Sequence, residues 1–178
     1  MKTKQMLALL LALCLLPAVC LAESEEPVPF VPFEAETIEG EAISSDIYAQ
    51  ADYTIVMYSA TWCSACHQCT PELIAFLDAY NAQGGATVQA VSVMTDTRSY
   101  ETGELEEDVV EDAKTLKESL EIPYPVLIPD DNLFAVMSII SYFPTFFVVD
   151  SDGNIAYATY GGLAQADWET VFEELTAV

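Results

Sequence analysis

Three cysteines lie within seven residues of one another, and two of them have the spacing of a redox pair. Cys63 and Cys66 are three residues apart and directly follow Trp62. Two thiols at positions i and i+3 on the first turn of a helix can close a small, reversible disulfide. At a helix start, free backbone N–H groups and the positive end of the helix dipole lower the pKa of the first thiol below about 8.5. We therefore expect Cys63 to attack a substrate disulfide and Cys66 to resolve the mixed disulfide.

Two neighbours of this pair leave other chemistry open. Three roles are open for Cys69: a packed thiol, a third redox partner, or a ligand of a soft metal. The first is the expected one, because free cysteine packs as a small hydrophobe. His67 is expected to face solvent and to tune the thiols modestly, but it also completes a Cys-x-x-Cys-His string that matches a c-type haem attachment motif. A non-catalytic haem- or metal-binding module using Cys63, Cys66, His67 and Cys69 is therefore the alternative function, although ligands at successive helical positions do not easily surround one ion.

Apolar patterning predicts the elements that position these residues. A strand rich in β-formers is predicted from Tyr53 to Ala60, and a helix from Cys63 through Pro71 to Gln83, where Gly84 follows. A hairpin around Gly40 is expected before this strand. Further strands are expected at Thr87–Thr95, Thr145–Val149 and Ile155–Tyr160, and further helices at Asp108–Leu120, at Asn132–Ile140 and after a cap at Asp167. This arrangement predicts an α/β domain with helices on both faces of a central sheet.

Composition excludes several classes of protein. The 178 residues are 52% apolar and carry a formal net charge of −24, with Lys+Arg 5 against Asp+Glu 29. A chain this apolar is not intrinsically disordered, and a surface this acidic repels nucleic acid and anionic lipid. The seven acidic residues between Glu101 and Asp112 are expected to form an exposed loop and helix face.

The first 22 residues have the pattern of an export signal. Lys2 and Lys4 precede an apolar run over 6–16, and Ala22 ends a stretch suited to cleavage. A retained anchor or a lipidated Cys20 are the alternatives, and all three place the protein outside the cytoplasm, secreted or associated with a bacterial cell envelope. Residues 23–32 are expected to form an acidic, proline-rich linker, and residues 33–178 the domain. In exported proteins whose disulfides stabilise the fold, the cysteines are spread along the chain. The clustering of Cys63, Cys66 and Cys69 therefore favours a chemical role over a stabilising one.

The motifs together resemble a known family. Trp62-Cys63-Ser64-Ala65-Cys66 at a strand–helix junction, with Phe143-Pro144-Thr145 opening a later strand, resembles the active site of thioredoxin-fold thiol-disulfide oxidoreductases. The resemblance covers about residues 33–178. The N-terminal hairpin and the segment between Thr95 and Pro125 are more similar to the exported TlpA/ResA-like branch. The resemblance implies a thioredoxin fold, with a central mixed β-sheet, helices on both faces and an N-terminal hairpin extension.

Further expectations follow from the resemblance. The Phe143–Pro144 bond is expected to be cis and, with Trp62 and Thr145, to support the dithiol and turn the Phe143 backbone toward a substrate strand. Tyr142 and Phe143 are either an exposed apolar lip or part of the core. The implied activity is protein-disulfide reduction, with protein thiols as substrates and a membrane electron donor as partner. We expect a monomer with no dissociable cofactor and no bound metal.

The chain departs from related patterns at three positions. Met57 stands where thioredoxins carry a buried carboxylate, and Cys69 stands where many TlpA/ResA-like proteins carry a glutamate. Ala60 replaces the threonine of the Thr-x-x-Cys signature of peroxiredoxin-like proteins. The carboxylate and the glutamate that accept a proton in those families therefore cannot be assigned to this chain. Because the threonine is missing, a peroxidase function is not favoured.

Overall fold

A seven-stranded mixed sheet forms the centre of the computed structural model, which describes residues 26–177. The predicted leader at 1–22 lies outside the described residues. The strands are β1 (Glu34–Thr37), β2 (Ala42–Ser44), β3 (Tyr53–Ser59), β4 (Val88–Met94), β5 (Val126–Ile128), β6 (Thr145–Asp150) and β7 (Ile155–Tyr160). Their order across the sheet is β2-β1-β5-β4-β3-β6-β7. Within residues 26–177, no helix is long and apolar enough to cross a membrane.

The central strand β3 determines where the cysteines lie. It pairs in parallel with β4, with Ser59 opposite Met94, and antiparallel with β6, with Tyr58 opposite Thr145. Six of its seven residues are buried, because both of its faces are covered. The carboxyl ends of β3 and β4 and the start of β6 therefore meet at one edge of the sheet, and the cysteine pair follows β3 at this edge.

Helices cover both faces, which confirms the predicted architecture. The helices are α1 (Ser64–Ala82), α2 (Glu107–Ser119), α3 (Asp131–Val136) and α4 (Gln165–Thr176). Apolar residues of α1, α2 and α4 pack on one face, where Phe76 of α1 contacts Trp168 and Phe172 of α4. On the other face, α3 and a 3-10 helix at Ser45–Gln50 bury Leu133, Ile47 and Tyr48. The fold is that of thioredoxin with an N-terminal β1–β2 hairpin.

Several boundaries differ from the prediction. Asp130 rather than Asn132 caps α3, because its carboxylate accepts the Leu133 N–H at 2.8 Å, while the Asn132 side chain donates to the Pro32 carbonyl. This helix ends at Val136 rather than Ile140. Asp167 is the third residue of α4 instead of its cap, and it accepts the Ala164 N–H at 2.9 Å. Strand β5 has no counterpart in the predicted elements.

The segment expected to be a linker is partly packed into the domain. Phe30 is buried against Tyr48 and Phe147, with ring centroids 6.3 and 5.0 Å away. Its N–H donates to the Gly153 carbonyl, and the Ile155 N–H donates to the Val28 carbonyl. The folded domain therefore begins before Phe33, because Phe30 packs on the Phe147 ring and buries it.

Candidate active site

Cys63 and Cys66 form a disulfide at the junction between β3 and α1. The sulfur atoms are 2.12 Å apart and the Cα atoms 5.2 Å apart. A turn joins the two elements, in which the Cys63 N–H donates to the Ala60 carbonyl at 3.0 Å. Cys63 then takes the N-cap position of α1 with extended backbone angles, so that Cys66 lies in the first helical turn. The start of the helix thus brings the sulfur atoms of Cys63 and Cys66 within bonding distance.

One backbone N–H group points at the first sulfur. The Cys66 N–H donates to Cys63 Sγ at 3.1 Å, as the N-cap oxygen of a serine would accept in another helix. Cys63 is 5% exposed and Cys66 is 1% exposed, whereas the preceding Trp62 is 64% exposed. When the pair is reduced, this N–H group and the helix dipole stabilise a thiolate on Cys63. Cys63 is thus the more exposed residue of the pair.

The Phe143–Pro144 segment lies at the same edge of the sheet. Its peptide bond is cis. The Phe143 ring packs edge-to-face on Trp62 with centroids 5.6 Å apart, and the Pro144 carbonyl accepts the Gly161 N–H at 2.8 Å. Thr145 opens β6, and its hydroxyl donates to the Tyr142 carbonyl at 2.7 Å. The structure therefore brings together Trp62, the disulfide and the Phe143–Pro144–Thr145 segment, which are about 80 residues apart in sequence.

Cys69 lies in the interior, on the buried stripe of α1. It is the one free cysteine among residues 26–177, and its thiol donates to the Cys66 carbonyl at 3.4 Å. Burial raises the pKa of Cys69 to about 11, so it is a neutral thiol at physiological pH. Burial, and secondarily the nearby Cys69, also raise the pKa of Tyr124. This environment suits a packed thiol.

The expectation that His67 faces solvent is wrong. The residue is half-buried, and its Nε2 atom is inaccessible to solvent and has no hydrogen-bond partner. The reason is its position on α1, where a rotation of about 100° per residue places it beside the buried stripe that contains Cys66 and Thr70. His67 therefore borders the core at the level of the disulfide.

A comparison with protein families gives the assignment. Residues 27–158 match the model described as the AhpC/TSA family. The chain belongs to the AhpC/TSA family. No curated protein matches the sequence.

Solved structures that resemble this AhpC/TSA-family chain share its fold. A thiol:disulfide interchange protein of the thioredoxin family from Chlorobium tepidum has 21% identity and a TM-score of 0.63, over 84% of this chain and 97% of that one. StoA from Bacillus subtilis has 25% identity and a TM-score of 0.56, over 85% and 99%. A thiol:disulfide interchange protein from Bacteroides sp. has 19% identity and a TM-score of 0.63, over 85% and 90%. The predicted resemblance to thioredoxin-fold redox proteins is confirmed.

Asp96 supports the site of this family member and was absent from the sequence-based expectations. Its carboxylate accepts the Thr61 N–H at 3.0 Å and also the Thr61 hydroxyl. Thr61 lies in the turn that leads to Cys63, and Asp96 follows β4 at the same edge of the sheet. The signal that could have indicated it is topological, because residues after two adjacent parallel strands lie side by side. Asp96 therefore fixes the turn from outside α1.

Met57 is fully buried in β3, so no carboxylate lies at the position where thioredoxins carry one.

The arrangement does not support a haem or metal site made of Cys63, Cys66, His67 and Cys69. In the part of the chain that the structure describes, no group of three or more His, Cys, Asp or Glu side chains has an arrangement that could hold a metal ion. Cys63 and Cys66 are bonded to each other, and the Cys69 thiol faces the core.

Proposed function

We propose that this chain is an extracytoplasmic thiol-disulfide oxidoreductase that reduces disulfides of protein substrates with the Cys63–Cys66 dithiol. The observation that carries the proposal is the disulfide at the start of α1, next to the cis Phe143–Pro144 bond and the exposed Trp62. A structural disulfide that closes so short a loop would stabilise the fold little, and it would not need the exposed Trp62 beside it.

The reaction transfers two electrons in two exchange steps. The Cys63 thiolate attacks one sulfur of the target disulfide, forming a Cys63–target bond while the other target sulfur leaves as a thiolate and is protonated. Cys66 then loses its proton to solvent and attacks the Cys63 sulfur, which forms the Cys63–Cys66 disulfide and releases the second target thiolate. The target gains the two electrons that the dithiol loses, and no dissociable cofactor takes part.

Support for the second step comes from the same geometry. Cys66 lies one turn from Cys63, and its N–H already points at the Cys63 sulfur. The backbone of Phe143 is the proposed partner for an extended segment of the target, which would be held by main-chain hydrogen bonds.

The direction and location complete the proposal. Outside the cytoplasm an isolated dithiol becomes oxidised, so a reductase needs a dithiol donor, which we place in the membrane. We propose that the predicted leader exports the chain, and that the domain works as a monomer, secreted or held at the cell envelope by a retained leader or a lipidated Cys20.

The reduction potential of the Cys63–Cys66 pair tests the direction. Equilibration with dithiothreitol or glutathione buffers should give a value nearer to the about −270 mV of thioredoxin than to the about −120 mV of DsbA. A value near the latter would make the protein an oxidant. A Cys66→Ser variant should accumulate mixed disulfides through Cys63. If brief alkylation of the reduced protein labels Cys66 before Cys63, the assignment of the two roles is wrong.

A further inference from the structure

Four aromatic side chains beside the disulfide form a partly exposed surface, which we call the aromatic rim: Trp62, Tyr142, Phe143 and Tyr160. Trp62, Tyr142 and Tyr160 are 64%, 63% and 67% exposed. The tyrosine rings stack with centroids 5.2 Å apart and an interplanar angle of 23°, while Trp62 and Phe143 pack edge-to-face. Exposed aromatic clusters of this kind are characteristic of binding surfaces.

The aromatic rim is continuous with the redox site. Trp62 precedes Cys63, and Tyr142 and Phe143 precede Pro144. Tyr160 ends β7 opposite Thr145 in the β6–β7 ladder, so that it stacks on Tyr142 across the start of β6. A target segment paired with the Phe143 backbone, as proposed above, would therefore lie beside these rings.

The charge at this edge of the sheet is negative. Asp96 follows β4, and the loop after it carries Glu101, Glu104 and Glu106, all exposed. This loop is joined to β3 through Thr95, whose hydroxyl donates to the Ser59 carbonyl and bonds to the Tyr100 hydroxyl. A polyanionic loop thus lies close to the turn that leads to Cys63.

No strong base in the described part of the chain is left to offset these acids, because all three are paired. Arg98 bonds to Asp131 at 2.9 Å and also donates to two backbone carbonyls. Lys117 pairs with Glu39 at 2.7 Å, and Lys114 pairs with Glu111. A basic partner is therefore attracted to the site and an acidic one is repelled.

We infer that the aromatic rim is a docking surface for a basic segment of the target protein, with lysine or arginine next to the cysteine that is exchanged. This inference rests on the proposed function and names its substrate class. Tyrosine faces attract ammonium and guanidinium groups through the ring quadrupole. The carboxylates of the loop after β4, which lies on the other side of β3 from the tyrosines, act in the same direction at longer range. Both tyrosines of the stacked pair are largely exposed, so a cationic side chain can reach their rings.

Peptides that differ only in charge test the inference. Each peptide carries one cysteine as a mixed disulfide with thionitrobenzoate, flanked by lysine, glutamine or glutamate, and reacts with the Cys66→Ser protein. The Cys63 thiolate attacks the peptide sulfur, the Cys63–peptide bond forms, and thionitrobenzoate leaves as a coloured thiolate. We expect the lysine peptide to react about tenfold or more faster than the glutamate peptide at low ionic strength. The difference should shrink toward unity in about 0.5 M salt.

Two pairs of variants separate the rings from the charges. Combined Tyr142→Ala and Tyr160→Ala should lower the ratio of lysine- to glutamine-peptide rates about two- to fivefold, whereas the matched Phe variants should keep it. Combined Glu101→Gln and Glu104→Gln should reduce the salt dependence of the lysine-peptide rate. Glu173→Gln with Glu174→Gln, near the far end of α1, is the control that should leave this dependence unchanged.

The outcomes distinguish the two proposals. Equal rates for all three peptides, or a faster glutamate peptide, would overturn the docking surface and leave the oxidoreductase proposal standing. Absence of thionitrobenzoate release from every peptide would overturn both. Reduced wild-type protein, assayed in parallel, should give the same ranking as the Cys66→Ser protein.

Discussion

At the scale of single residues, the third cysteine is close to the redox pair but oriented into the core. Cys69 lies six residues after Cys63, about 9 Å along the axis of α1, and its thiol bonds to the Cys66 carbonyl. A Cys69→Ala variant should therefore keep disulfide reductase activity within a few-fold, measured by turnover of a protein disulfide. Loss of activity with an intact fold and a normal Cys63–Cys66 disulfide would show that the third thiol takes part in catalysis.

The same thiol gives a pH dependence of stability. Burial raises the pKa of Cys69 from 9.0 to about 11, so between these values the folded state keeps a proton that the unfolded state has lost. The stabilisation is complete below pH 9 and is lost as the pH rises toward 11. Chemical denaturation of the protein and of Cys69→Ala over this range should show a steeper fall in the free energy of unfolding for the wild type. Parallel curves would contradict the assigned burial.

Asp96 offers a test of how the turn before Cys63 is held. Asp96→Ala removes the acceptor of the Thr61 N–H and hydroxyl, and should lower the free energy of unfolding by about 1–2 kcal/mol. Asp96→Asn keeps one acceptor oxygen and should recover part of this loss. Because the turn positions Cys63, the rate of alkylation of reduced Cys63 should change in the alanine variant. An unchanged rate and unchanged stability would mean that the contact does not position the turn.

At the scale of elements, the loop between β7 and α4 supports the cis segment through Gly161, the first of two adjacent glycines. Gly161 has a φ of +90° and donates its N–H to the Pro144 carbonyl. Gly161→Ala should cost about 1–2 kcal/mol, since an L side chain is strained in this region. Gly162→Ala is the matched control, because its added Cβ would meet Cys69 Cβ at 3.5 Å, an ordinary contact. Thermal unfolding should separate the two, and equal midpoints would argue against strain at Gly161.

Elements with strong local signals could be predicted from the sequence, and those that depend on distant partners could not. The junction of β3 with α1 combines a buried apolar run, a Cys-x-x-Cys pair and a helix that continues through Pro71. Strand β5, by contrast, has three residues between two prolines, too few to show alternation. Within the site, the disulfide pair follows from spacing alone, but the bond between Asp96 and Thr61 joins residues 35 apart. The burial of Phe30 likewise depends on Tyr48 and Phe147.

At the scale of the whole molecule, a formal net charge of −24 opposes the compact state through self-repulsion. Raising the NaCl concentration from about 10 mM to about 200 mM should raise the melting temperature by several degrees, as the Debye length falls from about 30 Å to below 10 Å. The three exposed or partly exposed ion pairs are weakened by salt, but each contributes at most about 1 kcal/mol. A Glu173→Lys, Glu174→Lys variant should gain less from salt, and a salt-independent melting temperature would contradict the effect.

The position of residues 28–30 determines which way the redox site faces relative to any segment upstream of residue 26. These residues lie against the turn between β6 and β7, at the end of the sheet opposite the disulfide. The seven residues of β3 separate the two ends by roughly 20 Å. A tether upstream of residue 26 would therefore hold the domain by its base, with Trp62 and the cysteines facing outward. Targets could then approach from the bulk side without competing with the tether for the same surface.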